Sequence, residues 1–166
     1  GSKGVLIGSF DLLNKWMVRS EVRDALTKLY VRNLITNKEE ELIITNEKVI
    51  TSGASLMQKN RNTNKLYIGY SSPKTPGKSY IYDITTKKKK LVKEEVVPSG
   101  HQAEDYIVER LNCNSHDNRK IPLTIIRHRK TKLDGKANLL LYGYGSYGAS
   151  MFPGFSPSRF SLINRN

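Results

Sequence analysis

Two stretches of this chain repeat each other fifty residues apart, and that spacing limits the available folds more than any other feature. Asn14-Lys15-Trp16-Met17-Val18 lines up with Asn64-Lys65-Leu66-Tyr67-Ile68, and Leu29-Tyr30-Val31-Arg32-Asn33-Leu34-Ile35-Thr36 with Ser79-Tyr80-Ile81-Tyr82-Asp83-Ile84-Thr85-Thr86; 64 − 14 and 80 − 30 both equal 50. These runs are rich in β-branched and aromatic residues, which favour strands. Thr36-Asn37-Lys38-Glu39 and Thr86-Lys87-Lys88-Lys89 read as turns, and Leu42-Ile43-Ile44 and Leu91-Val92 as the strands that return. Pro73, Pro76 and Gly77 mark a further hairpin loop. The first repeat has Glu21 to Leu26 in that place, without a strong turn signal. A period near 50 built of short strands has the length of a propeller blade, comparable with the roughly 40–50 residues of known blade repeats. An antiparallel meander without a central axis fits the same local pattern. Propellers close with about four to eight blades, so two blades make an incomplete piece.

The repeat ends near Pro98-Ser99-Gly100. The chain divides into a Gly-Ser tag remnant at 1–2, a partial propeller at 3–97, a linker at 98–104 and a second unit at 105–166. In the second unit, Tyr106 to Leu111, Ile121 to His128 and Asn138 to Tyr142 read as strands, with Asn114 to Arg119 as a turn of residues that cap their own backbone. The third strand, centred on Leu139-Leu140-Leu141, is expected to be buried, and the glycines after it to take positive φ. Pro153, Gly154 and Pro157 keep the next stretch irregular until Ser158, which is expected to cap a helix from Arg159 to Asn164.

The run Leu139-Leu140-Leu141-Tyr142-Gly143-Tyr144-Gly145-Ser146-Tyr147-Gly148-Ala149-Ser150, followed by Phe155 to Leu162, resembles the oxyanion-loop region of the prolyl oligopeptidase family of serine peptidases. Its wording is closer to the oligopeptidase B (protease II) branch, and Asp117-Asn118-Arg119-Lys120-Ile121-Pro122 is similar to a D-G-x-x-(I/V)-P turn of the family, with Asn for Gly. The specific likeness covers roughly residues 104 to 165. It implies a mainly β chain: two blades of a β-propeller followed by the first strands of an α/β-hydrolase domain, incomplete. It also implies further blades before residue 1, and an open strand edge at the fragment's start that favours pairing with another copy.

The same likeness implies hydrolysis of short peptides after Lys or Arg, with Tyr144, the second tyrosine of the YGYG run, donating its hydroxyl to the oxyanion. Fixed donors of this kind are each worth roughly 2.7–4 kcal/mol in the transition state. Tyr142 and Tyr147 are assigned to packing. A peptidase of this class needs a serine on a G-x-S-x-G elbow, then an acid and a histidine. No such elbow occurs in the 166 residues. The triad is therefore expected downstream, in the remainder of the peptidase, and the fragment is expected to be inactive alone. No cofactor and no metal is implied.

Gly143-Tyr144-Gly145-Ser146-Tyr147-Gly148 also satisfies G-x-G-x-x-G. A dinucleotide site requires a helix opening at once and an acid about 20 residues on. Prolines interrupt any such helix, and no Asp or Glu follows Gly143. Lys plus Arg 28 against Asp plus Glu 15 gives +13, but the charge is scattered and its densest run, Lys87 to Lys90, falls at a hairpin turn. Nucleic acid is thus not the expected partner, and no apolar run approaches the roughly 18 residues of a membrane helix. The single Cys113 allows no internal disulfide, and the expected compartment is the cytoplasm. Cys113 reads as a small apolar strand residue, and His101, His116 and His128 as structural or exposed. Glu39-Glu40-Glu41 and Glu104-Asp105 read as surface. The alternative to a peptidase fragment is a non-catalytic β interaction module that binds a partner or nucleic acid through open edges or a basic face.

Overall fold

The structure, a computed structural model, describes residues 4–56 and 61–165, so the expected tag remnant at 1–2 lies outside the described residues. Eight strands form two antiparallel sheets of four. The first contains β1 (Leu6–Leu13), β2 (Trp16–Arg23), β3 (Leu26–Asn33) and β4 (Glu39–Glu41), paired in that order. The second contains β5 (Thr51–Leu56), β6 (Lys65–Ser71), β7 (Lys78–Asp83) and β8 (Lys89–Glu94), again in sequence order. Each sheet is an up-and-down blade, and the two pack face to face.

The clearest copy between the blades is a turn. Asn33 Oδ1 accepts from the N–H of Ile35 at 2.9 Å and of Thr36 at 3.1 Å, and Asp83 Oδ1 accepts from Thr85 and Thr86, both at 2.9 Å. Asn37 and Lys87 then both take φ of 57°. The carboxylate is the better acceptor, and the Thr86 N–H foremost holds the Asp83 carboxyl below its ordinary pKa. The β3 and β7 strands therefore keep the offset of 50.

The preceding strands do not. Trp16 pairs with Asn33, whereas Lys65 pairs with Asp83, so Trp16 corresponds to Lys65 at an offset of 49. The similarity of Asn14-Lys15-Trp16 to Asn64-Lys65-Leu66 is thus one residue out of structural register. In a strand, one residue reverses the face. The slip reconciles the burial: blade 1 offers Val18, Leu29 and Val31 to the shared core, blade 2 offers Leu66, Ile68 and Ile84 from its opposite face, and Tyr80 and Tyr82 pack beside them. Burial pushes both phenols to higher pKa. Trp16 Nε1 donates to Asn64 Oδ1 across the interface at 3.2 Å.

One local expectation is corrected. The returning strand of blade 1 lies at Glu39–Glu41, before Leu42-Ile43-Ile44; Leu42 and Ile44 are buried in the core and Ile43 is 74% exposed. Glu39 and Glu41 stand in pairing register with Arg32 and Tyr30, and Arg19, Lys87 and Lys28 respectively neutralise Glu39, Glu40 and Glu41 at 2.7, 2.8 and 3.0 Å. The Arg19 hydrogen bond holds the Glu39 carboxyl below its usual range. Between β2 and β3 the turn is only two residues, Asp24 and Ala25, at φ of 51° and 55°. This doubly left-handed turn matches the twist of a hairpin and normally uses Asn-Gly or Asp-Gly, which explains why Asp-Ala carried no strong signal. Blade 2 spans the same place with six residues, Ser72 to Gly77, folded by Ser72 Oγ, which accepts from the Thr75 N–H at 2.9 Å.

Beyond the blades, β9 (Tyr106–Asn114) and β10 (Lys120–His128) form a separate antiparallel hairpin. Asn118 closes its turn at φ 61°, taking the left-handed role of a glycine. Cys113 is a strand residue, as expected, on the outer end of β9, and it is exposed because that end of the hairpin projects from the core. Arg110 reaches from β9 to the carbonyl of Asp24 and to Thr124 Oγ1, bracing the hairpin on blade 1, and burial lowers its pKa.

Candidate functional site

The stretch expected to be a buried strand forms no strand among the described residues. Leu139, Leu140, Leu141 and Tyr142 are 83%, 72%, 79% and 73% exposed. The physical reason is the absence of a ladder: β9 and β10 pair only with each other, so no described strand offers backbone partners to residues 138–142 and none covers their side chains. Tyr142 and the fully exposed Tyr147 therefore do no packing here, contrary to expectation.

Tyr144 sits at the centre of this exposed run, flanked by Gly143 and Gly145, with about half of its surface open (54%). The turn is made later than the glycine pattern suggested. Gly143 and Gly145 are not left-handed; Tyr147, at φ 57° and ψ 29°, and Gly148, at φ 70°, are. A short 3₁₀ turn spans Ser146–Gly148, and no α-helix opens there, which removes the helix N-terminus that a dinucleotide pyrophosphate requires.

After the loop the chain docks. Pro153 is buried, and Gly154 lies against blade 2, where a Cβ would come within 3.6 Å of Ser71 Oγ and 3.8 Å of Thr51 Oγ1. Nearby, Gly53 and Gly69 face each other across β5 and β6, and their missing side chains open a shallow trough of about 600 Å³. Helix α1 (Pro157–Ile163) starts two residues earlier than expected, with Ser156 at the N-cap and Pro157 in the first turn. Proline is pre-set for that position, and Ser156 caps without a side-chain hydrogen bond, so Ser158 is already helical.

An aromatic cluster that sequence reasoning missed anchors this docked segment. The His101 ring stacks on Tyr106 at 5.1 Å and 7°, and meets Phe155 and Phe160 edge-on at 5.1 and 4.5 Å. Phe160 contacts Tyr106 at 4.6 Å, and His128 lies perpendicular to Tyr106 at 5.6 Å. Tyr106 and Phe160 are buried, and the Tyr106 hydroxyl donates to Asn164 Oδ1 at 2.9 Å. His101 Nε2 donates to the carbonyl of Lys74, in the blade 2 loop, at 2.6 Å. The cluster thus joins the segment after blade 2, the open end of the hairpin where Tyr106 and His128 are paired, and α1. No periodicity marks these five residues, which is why they were illegible separately. His116 is exposed in the hairpin turn. Among the described residues no group of three His, Cys, Asp or Glu side chains is placed to hold a metal, and no helix is long and apolar enough to cross a membrane.

Two blades, an appended hairpin and a docked aromatic segment are an arrangement that can be compared with known proteins. Residues 2–95 match the family model described as prolyl oligopeptidase, N-terminal beta-propeller domain. The chain belongs to the prolyl oligopeptidase family. It is 33% identical to dipeptidyl aminopeptidase BI of Pseudoxanthomonas mexicana over 97% of its own length and 22% of that protein, and 28% identical to protease 2 of Moraxella lacunata over 86% of its length and 20% of that protein. Oligopeptidase B from Trypanosoma brucei, solved with covalently bound antipain in a closed form, superposes with a TM-score of 0.87 at 28% identity, covering 99% of this chain and 24% of that one. Oligopeptidase B from Leishmania major gives 0.86 at 26% identity, with 99% and 24% covered.

This prolyl oligopeptidase chain therefore spans about a fifth of the length of the curated relatives it matches. Strands β1 to β8 are two blades of the family's propeller. The likeness to oligopeptidase B runs on through the hairpin and the docked segment, since it covers nearly the whole chain.

Proposed function

We propose that this chain is the propeller-to-hydrolase junction of a serine oligopeptidase of the oligopeptidase B type, which cuts short peptides after Lys or Arg. On this reading residues 105–166 open the α/β-hydrolase domain, and the exposed Leu139 to Tyr142 run is the strand that the remainder of the hydrolase sheet would pair and cover. The nucleophile, acid and base belong to sequence outside the 166 residues, and the chain alone is inactive.

The observation that carries the proposal is the presentation of Tyr144. Its ring stands partly open on a glycine-flanked loop, and the segment after that loop is held to blade 2 and to the His101 cluster. A phenol is a hydrogen-bond donor at the tip of a rigid ring, which suits oxyanion stabilisation once the rest of the hydrolase domain fixes the loop. The supporting likeness is to oligopeptidase B and protease 2.

The test uses arginyl and prolyl amide substrates. The 166-residue chain alone should hydrolyse neither. Joined to the sequence that follows Asn166 in its gene, it should hydrolyse the arginyl amide at least tenfold better, a preference of about 1.4 kcal/mol in the transition state. Equal or reversed preference removes the basic-residue specificity, and turnover by the isolated chain removes the fragment reading.

A further inference from the structure

We infer that His101 is a positioning residue: a latch that fixes the blade 2 loop to the segment following Tyr144. This rests on the reading of Tyr144 as an oxyanion donor, and goes beyond it by naming what holds that loop in place relative to the propeller.

His101 is the one side chain in the cluster that bonds a blade directly. Its Nε2 donates to the Lys74 carbonyl at 2.6 Å, while its ring lies on Tyr106 of β9 and against Phe155 and Phe160 of the docked segment. The loop it grips is itself rigid. Ser72 and Pro73 are fully buried, Thr75 is 6% exposed, and Thr75 Oγ1 donates to Glu47 Oε1 at 2.8 Å. On the other side, Tyr106 is tied to the C-terminal end of α1 through Asn164, and Arg159 Nη1 donates to the Gly154 carbonyl at 2.9 Å. A displacement of the Ser72 to Gly77 loop therefore reaches α1 through the His101 imidazole, beside the direct contact of Gly154 with blade 2, and so bears on the loop that ends at Gly148. Histidine suits the task because it combines a flat ring for stacking with an edge donor that reaches a carbonyl. Phenylalanine keeps the first property and glutamine the second.

The latch is tested by His101→Phe and His101→Gln in the complete peptidase and in the 166-residue chain. In the peptidase, His101→Phe should lower kcat about tenfold with KM unchanged, the pattern of a misplaced transition-state donor, and His101→Gln should recover to within roughly threefold of the parent. Where Tyr144→Phe does lower turnover, parent-like kcat in His101→Phe overturns the latch, as does a glutamine variant no better than the phenylalanine one, since restoring the hydrogen bond would then restore nothing. Hydrogen exchange on the 166-residue chain separates this from the fate of Tyr144. In His101→Phe, the amides of Thr75 and Asn164 should lose protection together, about tenfold, the worth of one hydrogen bond, while those of β2 and β3 stay unchanged. Unchanged protection at Thr75 and Asn164 overturns the latch even if Tyr144→Phe abolishes turnover. Coupled loss upholds it even if Tyr144→Phe does not.

Discussion

Leu34 and Ile84 occupy the same position of the repeat, yet truncating each to alanine should have very different costs in the 166-residue chain. Both follow the side-chain-capped turn residue, and both donate backbone N–H groups back to the preceding strand, Leu34 to Lys15 at 2.8 Å and Ile84 to Asn64 at 2.9 Å. Ile84 is 3% exposed in the core between the blades, whereas Leu34 is 43% exposed on the face of blade 1 that no described blade covers. Ile84→Ala removes three buried carbons and leaves a cavity, which costs about 2–5 kcal/mol. Leu34→Ala removes carbons already partly in contact with water and should cost about 1 kcal/mol or less. For a domain of this size 1 kcal/mol moves the midpoint by roughly 2–4 °C, so Ile84→Ala should melt about 10 °C lower and Leu34→Ala only about 3 °C lower. Urea unfolding, followed by the fluorescence of the single Trp16 in the blade interface, measures both. Equal losses would refute the face assignment that follows from the one-residue slip between the blades. In the complete peptidase, where a preceding blade is expected against Leu34, its cost should rise toward that of Ile84.

Asp83→Asn copies the Asn33 turn and should flatten the acid limb of stability. The Asp83 carboxyl is held below its ordinary value of about 3.9, so its contribution is present above that pH and is lost as pH falls through the lowered folded value. The group is only partly buried, so the change should stay below about 1 kcal/mol, read as urea midpoints between pH 6 and pH 3. Ala25→Gly restores a Asp-Gly type turn at φ 55° and should stabilise by about 1 kcal/mol, the cost of a left-handed non-glycine residue; a destabilised variant would contradict the turn assignment. Tyr106→Phe deletes the hydroxyl that donates to Asn164 and should cost about 1 kcal/mol while leaving β1 to β4 amide protection unchanged.

What the sequence disclosed followed from local chemistry repeated at a distance. The turns after Asn33 and Asp83, the Pro73 to Gly77 loop and the β9–β10 hairpin were legible because each is specified by a few residues with strong backbone preferences. The slip between β2 and β6 was not, because similar residues at fifty spacing hide a change of face that only strand pairing reveals. Leu139 to Tyr142 has the composition of a buried strand, but a strand also needs a neighbour, and the described residues supply none. The His101 cluster escaped detection because its members come from a connecting segment, two strand ends and a helix, and were brought together only by tertiary packing.

The most direct test of the account is kcat for an arginyl amide in the complete peptidase carrying Tyr144→Phe. Loss of one oxyanion donor should lower kcat about 10²–10³-fold with KM unchanged. Turnover equal to that of the parent enzyme would contradict the role given to Tyr144, and with it the reason offered for holding this loop against the propeller.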